Sequence, residues 1–218
     1  ASMKVLDKAE VEFIAEESEG TVDVTFIFDA SSMEGKNAVV FERLYMDGKL
    51  IAKHIDINDE EQTVHFPEVK TSAKDKETGK QSVIHKNGKK VTIVDTVKYS
   101  NLLPGKEYKV IGTLMDKETG KPVMIDGKEL TAEKIFTAEK ADGSIDLEFV
   151  FDITDFKNKK VVVFEKLFLG EVLVGEHGAI NVKDQSISIE VGQLPPVPKA
   201  GDDFNALIWI ILMIAAGS

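Results

Sequence analysis

Three polar residues occur twice along this chain at one spacing. Glu165, His177 and Gln185 repeat Glu42, His54 and Gln62 at a constant offset of 123 residues. Glu to His is 12 positions in both copies, and His to Gln is 8. A Glu and a His side by side can exchange protons near neutral pH. Each Glu ends an apolar run, Val161-Val162-Val163-Phe164 in one copy and Val39-Val40-Phe41 in the other. A charge is costly there if the run is a buried β-strand. The same costly residue, twice, with the same followers, points to a buried polar site.

The elements that position these groups follow from local patterns. In the first copy Asp47-Gly48-Lys49 separates two apolar runs. A three-residue loop containing Gly is a common hairpin connection. It sets Glu42 opposite His54, and a loop at 170–172 sets Glu165 opposite His177. Directly opposed side chains have Cβ atoms about 5 Å apart. A two-residue loop would shift the register by one and put the pair on opposite faces. Gln185 lies eight residues past His177, about 26 Å of extended chain. The chain is therefore expected to turn near Gly178 and return as a last strand.

Short apolar or alternating runs recur at 67–73, 90–99, 108–115, 134–138, 145–151, 159–169, 173–177 and 185–191. Turn signals such as Asp75-Lys76-Glu77-Thr78-Gly79 and Leu103-Pro104-Gly105 separate them. Nothing shows a convincing 3.6-residue period. The pattern predicts an all-β antiparallel sandwich.

Residues 9–66 align with 132–189 without a gap, with 21 of 58 positions identical. A match of this quality makes the chain a tandem of modules. One complete copy spans 67–190. Residues 1–66 read as the C-terminal half of a preceding module, and the opening Ala1-Ser2-Met3 reads as a cut within a longer chain.

Of the 218 residues, 43 % are hydrophobic and 30 % charged, with a net charge of −11. Acidity and the lack of a basic patch argue against nucleic acid as a partner. There is no Cys, so any covalent stabilisation must use other chemistry.

Five stretches together resemble the intramolecular ester-bond domains of Gram-positive surface adhesins, also known as VaFE repeats. They are Lys70-Thr71-Ser72, Asp95-Thr96-Val97-Lys98-Tyr99, Gly112-Thr113-Leu114-Met115-Asp116 with Thr119-Gly120, Val162-Val163-Phe164-Glu165, and His177 with Gln185. The resemblance implies tandem Ig-like sandwiches of the CnaB or pilin type and a self-formed ester between Thr71 and Gln185. Thr71 would be the nucleophile and Gln185 the acyl donor, with Asp95, Glu165 and His177 assisting. Two carboxyls that close together cannot both ionise cheaply, so one is expected to hold a proton. The bond forms once, so no turnover enzyme, cofactor or metal is expected. Glu42, His54 and Gln62 form a partial set without a visible Thr or Asp partner. The first copy has Asp56, Asp59 and Thr63 where the second has Ala179, Val182 and Ser186.

Rival readings use the same residues. Asp95 and Glu165 could belong to a surface ion-pair network. A His/Glu/Asp metal site lacks a close ligand pair. A two-carboxylate glycosidase lacks an aromatic-rich sugar cleft. A sandwich binding a carbohydrate or host protein through the Glu/His pair is a further alternative. A Lys–Asn isopeptide would use Lys70 or Lys74 with Asn181 and Glu165.

Gln193 to Asp202 is a Pro-rich linker. Within it Val197-Pro198-Lys199-Ala200-Gly201 resembles a sortase sorting signal, with Val197 and Ala200 in place of Leu and Thr. Phe204 to Ala216 is apolar except for Asn205 and shorter than the roughly 20 residues of a full span. It reads as a truncated membrane segment. The expectation is a stalk on the cell surface, joined to peptidoglycan through sortase after passing through the membrane, with an unknown host or surface ligand for the whole protein.

Overall fold

The computed structural model describes residues 4–85, 90–152, 156, 159–181, 183 and 186–191. Among these there is no helix, and every regular element is a strand. Residues 4–66 contribute β1 (Lys36–Val39), β2 (Glu42–Met46), β3 (Lys49–His54) and β4 (Thr63–Phe66). Next come β5 (Glu68–Asp75), β6 (Ser82–His85), β7 (Lys90–Ser100) and β8 (Glu107–Asp116). The short β9 (Lys121–Pro122), β10 (Met124–Ile125) and β11 (Lys128–Glu129) follow. The chain then forms β12 (Thr131–Thr137), β13 (Gly143–Asp152), β14 (Lys160–Leu169), β15 (Val172–His177) and β16 (Ser186–Val191).

Two sheets from residues 68–191 face each other as an Ig-like sandwich. One has the order β13-β7-β5. The other runs β12-β8-β14-β16-β6, with β15 also on β14 and β9 on β8. The pairs are antiparallel except β16 with β6, which is parallel. Strict alternation explains the packing. On β7, Val91, Ile93, Asp95 and Val97 point inward; on β14, Val161, Val163, Glu165 and Leu167 do the same. These rows close on Leu114, Leu147, Phe149 and Ile187 in one continuous core. Asp95 and Glu165 thus sit in the middle of these rows, flanked by apolar side chains, while the other buried carboxylates, Asp75 and Asp116, lie at the last positions of β5 and β8.

The short strands at β6 and β9 to β11 were not legible as strands. β6 has only the apolar pair Val83-Ile84 between polar residues, β9 is a polar Lys-Pro pair, and β10 and β11 are two-residue strands flanking the Asp126-Gly127 turn, where both residues have positive φ.

Residues 4–66 reproduce part of this arrangement. β1 and β2 correspond to β14, β3 to β15 and β4 to β16. Val39 pairs with Thr63 as Val162 pairs with Ser186, and Glu42 with His54 as Glu165 with His177. The stretches equivalent to β12 and β13, residues 8–14 and 20–29, form no strand. In the later copy those strands pair with β8 and β7, and residues 4–66 contain no counterpart of either. Met33 is the one apolar side chain in this region that is almost fully buried.

A dicarboxylate site between the two sheets

The hairpins place Glu beside His, but not through the three-residue loop that the spacing suggested. Met46 pairs with Lys49 and Leu169 with Val172, so both loops have two residues. Positive φ at Asp47, Gly48 and Gly170 suits primed turns, whose twist matches that of the strands. A two-residue loop alone would send Glu and His to opposite faces. A bulge corrects this: Phe168 faces Leu173 while Leu167 faces Gly175, and Val174 is the extra residue. The first copy has the same shift between Leu44 and Tyr45.

The expected reversal near Gly178 is also corrected. β15 lies along the Glu165–Leu169 part of β14, and β16 along the Lys160–Val162 part of the same edge. Both run antiparallel to β14. The chain therefore leaves that edge after His177 and rejoins it at Ser186 in the same direction.

Around Glu165 the two sheets bring together most of the predicted set. Glu165 is 1 % exposed, Asp95 0 % and Thr71 8 %. Thr71 shares the inward row of β5 with Val69, Ala73 and Asp75, and Asp95 pairs with Ala73 one step away. Neither Asp95 oxygen makes a hydrogen bond of good geometry among the described residues. Burial pushes the Asp95 carboxyl up to about 6; the Glu165 side chain beside it works in the opposite sense, and the Asp146 charge adds to the rise.

His177 is partly buried, and burial lowers its pKa. The Glu34 charge opposes that, Lys70 reinforces it and Glu68 opposes it. β15 and β5 touch: a Cβ on Gly175 would sit 3.2 Å from Val69 Cγ2. Thr71 and His177 each lie two residues further along these strands. Opposite Glu165 on its other side is Gly112. A Cβ there would lie 2.8 Å from Leu147 Cδ1 and 2.9 Å from Phe149 Cζ, so this Gly makes room for the inner layer against which the carboxylates pack.

The first copy shows the equivalent set without a covering sheet. His54 Nδ1 is 3.9 Å from Glu42 Oε2, and His54 Nε2 is 2.7 Å from Asp59 Oδ2. Asp59 Oδ1 accepts from the Gln62 N–H at 3.3 Å, and the Gln62 carbonyl accepts from Val40 N–H at 3.0 Å. The side chains of Glu42 and His54 remain about half exposed.

Other expectations fall elsewhere. Gln185, Val182 and the tail, including Val197, Pro198, Lys199, Ala200 and Gly201, lie outside the described residues. Lys70 and Lys74 point outward from β5, Lys70 toward Glu68 at 2.7 Å, and Asn181 is exposed. A Lys–Asn bond across a buried Glu165 does not fit those orientations. The surface ion-pair reading fails because Asp95 and Glu165 are buried. Among the described residues no group of His, Asp and Glu could hold a metal, and no helix is long and apolar enough to cross a membrane. Glu34 was missed by sequence reasoning; it lies outside the repeated set and 143 positions from His177.

The fold and site define an Ig-like β-sandwich with a buried pair of carboxyls between its sheets. Residues 1–66 and 67–189 each match the family described as T-Q ester bond containing domain, and the chain belongs to that family. Among solved structures, it is similar to a bacterial adhesin from Mobiluncus mulieris containing intramolecular disulfide, isopeptide and ester bond cross-links. Identity is 20 % over 58 % of this chain and 57 % of that one, with a TM-score of 0.46 in each of two crystal forms. The chain thus spans a little over half the length of that structure. A putative β-galactosidase from Bacteroides fragilis is similar at 11 % identity over 53 % of this chain and 17 % of that one, with a TM-score of 0.38. No curated protein sequence matches the chain.

Proposed function

We propose that residues 67–190 form a self-crosslinking stalk module of a cell-surface adhesin, joined by an ester between Thr71 and Gln185. Residues 1–66 are the back half of a like module. The observation that carries this reading is the placement of Thr71, Asp95 and Glu165 in one dry layer, with His177 at its edge. A buried carboxyl with a raised pKa is costly to a fold that has no use for it.

The chemistry uses these groups once. Thr71 Oγ attacks Gln185 Cδ while its proton passes to His177, which is kept neutral near pH 7 by its lowered pKa. The Asp95 carboxyl, which its raised pKa helps to keep protonated, donates a hydrogen bond to the developing oxyanion. The Oγ–Cδ bond forms, the Cδ–Nε2 bond breaks, and the proton on His177 leaves with the nitrogen as ammonia. Exclusion of water protects the product from hydrolysis.

Topology suggests the purpose. β5 starts at the end of the sandwich where residues 66 and 67 enter. β16 runs past the start of β14 toward the opposite end. Tension on the chain would act along these two strands. An ester between Thr71 and Gln185 carries that load directly and leaves the core outside its path. Closing a loop of 114 positions also constrains the unfolded chain by about 4.7 kcal/mol on the chain-entropy model. The linker and sorting-like signal support anchoring at the cell wall through sortase.

Intact mass tests the reading. Folded protein is expected one ammonia below its calculated mass, with Thr71 and Gln185 joined in the peptide map. The deficit should vanish in Thr71→Ala, and hydroxylamine should cleave the bond. An unaltered mass in folded protein would overturn the proposal. A crosslink resistant to hydroxylamine would indicate an isopeptide instead.

A further inference from the structure

We propose that Asn101, on the turn between β7 and β8, is a docking latch that fixes the complete module on the end of a preceding one by gripping its main-chain carbonyls. The partner surface is the end of the β1–β4 ladder, marked by Asn37 and His65. This interface is independent of the ester. Asn101 Nδ2 donates to Lys36 O at 2.9 Å, to Phe66 O at 3.1 Å and to Asn37 Oδ1 at 2.7 Å. Its Oδ1 lies 3.2 Å from His65 Nδ1. Two of the groups around Nδ2 are main-chain carbonyls, which can only accept, and this fixes which end of the amide is nitrogen. Oδ1 therefore accepts, and His65 Nδ1 donates.

The residue type suits the position. Asn101 has a φ of 63°, in the left-handed region that Asn tolerates better than most side chains. Its own N–H donates to Asp142 Oδ1 at 3.1 Å, which ties the turn to the complete module. The backbone is thus held by one copy while the side chain serves the other. On the receiving side, Lys36 and Phe66 face each other at the end of the β1–β4 ladder. Phe66 O also accepts from the Gly35 N–H at 2.8 Å, and a carbonyl oxygen has two lone pairs to offer.

The joint has little else to hold its angle. β4 ends at Phe66 and β5 begins at Glu68, so Pro67 alone joins the copies. A single covalent connection is a pivot. Among the described residues the apolar core takes nothing from residues 4–66, and relative motion is the default where no large apolar interface opposes it. A cavity of about 260 Å³ lies in the joint, lined by Ala30, Glu34 and Phe66 of one copy and Val69, Leu173 and Gly175 of the other, among others. Bending at Pro67 would close or widen it. Asn101 supplies a second attachment and so opposes that motion. The surface it grips is particular to the first copy. The equivalents of Asn37 and His65 in the complete module are Lys160 and Ser188. A Lys ammonium cannot accept from an Asn amide, so that end lacks the side-chain half of the surface.

The test is the spread of orientations at the joint in the full chain. The chain has no Cys, so Val64→Cys on β4 and Val150→Cys on β13, both at exposed positions, carry nitroxide labels at two defined sites. Pulsed electron–electron resonance then reads the distance distribution between them. With Asn101 in place the distribution should be single and narrow. Asn101→Asp keeps the shape and the tolerance of left-handed φ but sets an acceptor against three acceptors. Asn101→Gly keeps the turn and removes the side chain. Each is expected to widen the distribution severalfold, with the thermal midpoint and the extent of ammonia loss as in the unsubstituted chain. Asn37→Lys combined with His65→Ser should widen it less, because the carbonyls of Lys36 and Phe66 remain. Equal widths with and without the Asn101 amide would overturn the latch. A fall in thermal midpoint accompanying the widening in both Asn101 variants would also overturn it, by making Asn101 a residue of its own module's fold. An unwidened distribution in the Asn37, His65 double variant would overturn the assignment of the partner surface.

Discussion

At the scale of single residues, Asp95 sets the chemistry and weakens the fold. Its pKa is about 6 in the folded chain against an ordinary 3.8. Between those values the folded state holds a proton that the unfolded chain has released. Stability before crosslinking is therefore lost as pH rises through that window and regained as it falls. A difference of this size corresponds to about 3 kcal/mol at neutral pH. In a Thr71→Ala background, which cannot crosslink, Asp95→Asn should raise unfolding stability at pH 7 by up to about 3 kcal/mol. It should also flatten the dependence between about pH 4 and about pH 6. Denaturant melts at several pH values read both effects. In a chain that keeps Thr71, the same substitution is expected to block ammonia loss. The need for a buried acid in Val91-Ile93-Asp95-Val97 was readable from alternation together with the family resemblance. The size of the effect was not, because it depends on how completely the opposite sheet excludes water.

At the scale of elements, the Glu–His pairing was legible and its mechanism was not. The repeated spacing of 12 implied that the two residues face each other. It could not separate a three-residue loop from a two-residue loop with a bulge, since both consume the same number of residues before the pair is reached. Backbone twist decided for the primed two-residue turn, and the bulge at Val174 then restored the face. Gly112 is a second element-level constraint, across β14 from the hairpin. Its neighbours leave no room for a methyl group, with Leu147 Cδ1 at 2.8 Å and Phe149 Cζ at 2.9 Å from an added Cβ. Gly112→Ala should cost about 2 kcal/mol through overpacking, measured as a lower denaturation midpoint with an unchanged denaturant slope.

At the scale of the whole molecule, stability is unevenly distributed. The core lies within residues 69–189, whereas Phe13, Ile14, Ile27, Tyr45 and Met46 are exposed in the first copy. Amide exchange should therefore be fast through residues 4–35 and slow in β7, β8, β13 and β14. The β1–β4 ladder, whose carbonyls at Lys36 and Phe66 accept from Asn101, should show intermediate protection. Uniform protection along the chain would contradict this division. Residues 4–66 have few internal apolar contacts to offset the entropy of ordering them, so their order depends on the module to which they are tied.

The two copies show where sequence ends and tertiary structure begins. By itself, the sequence determined the β class, the repeat, the inward alternation and the pairing of Glu with His, because these depend on local period and on one hairpin. Tertiary structure decided what the same residues become. Residues 143–152 form a strand against β7, while the related residues 20–29 form none. Glu165 lies in a dry layer at 1 % exposure, while Glu42, in the same hairpin, faces solvent. A strand requires a partner for its backbone groups, and a perturbed carboxyl requires a second sheet to exclude water. Both are supplied by β5, β7 and β8, which belong to the second copy alone among the described residues.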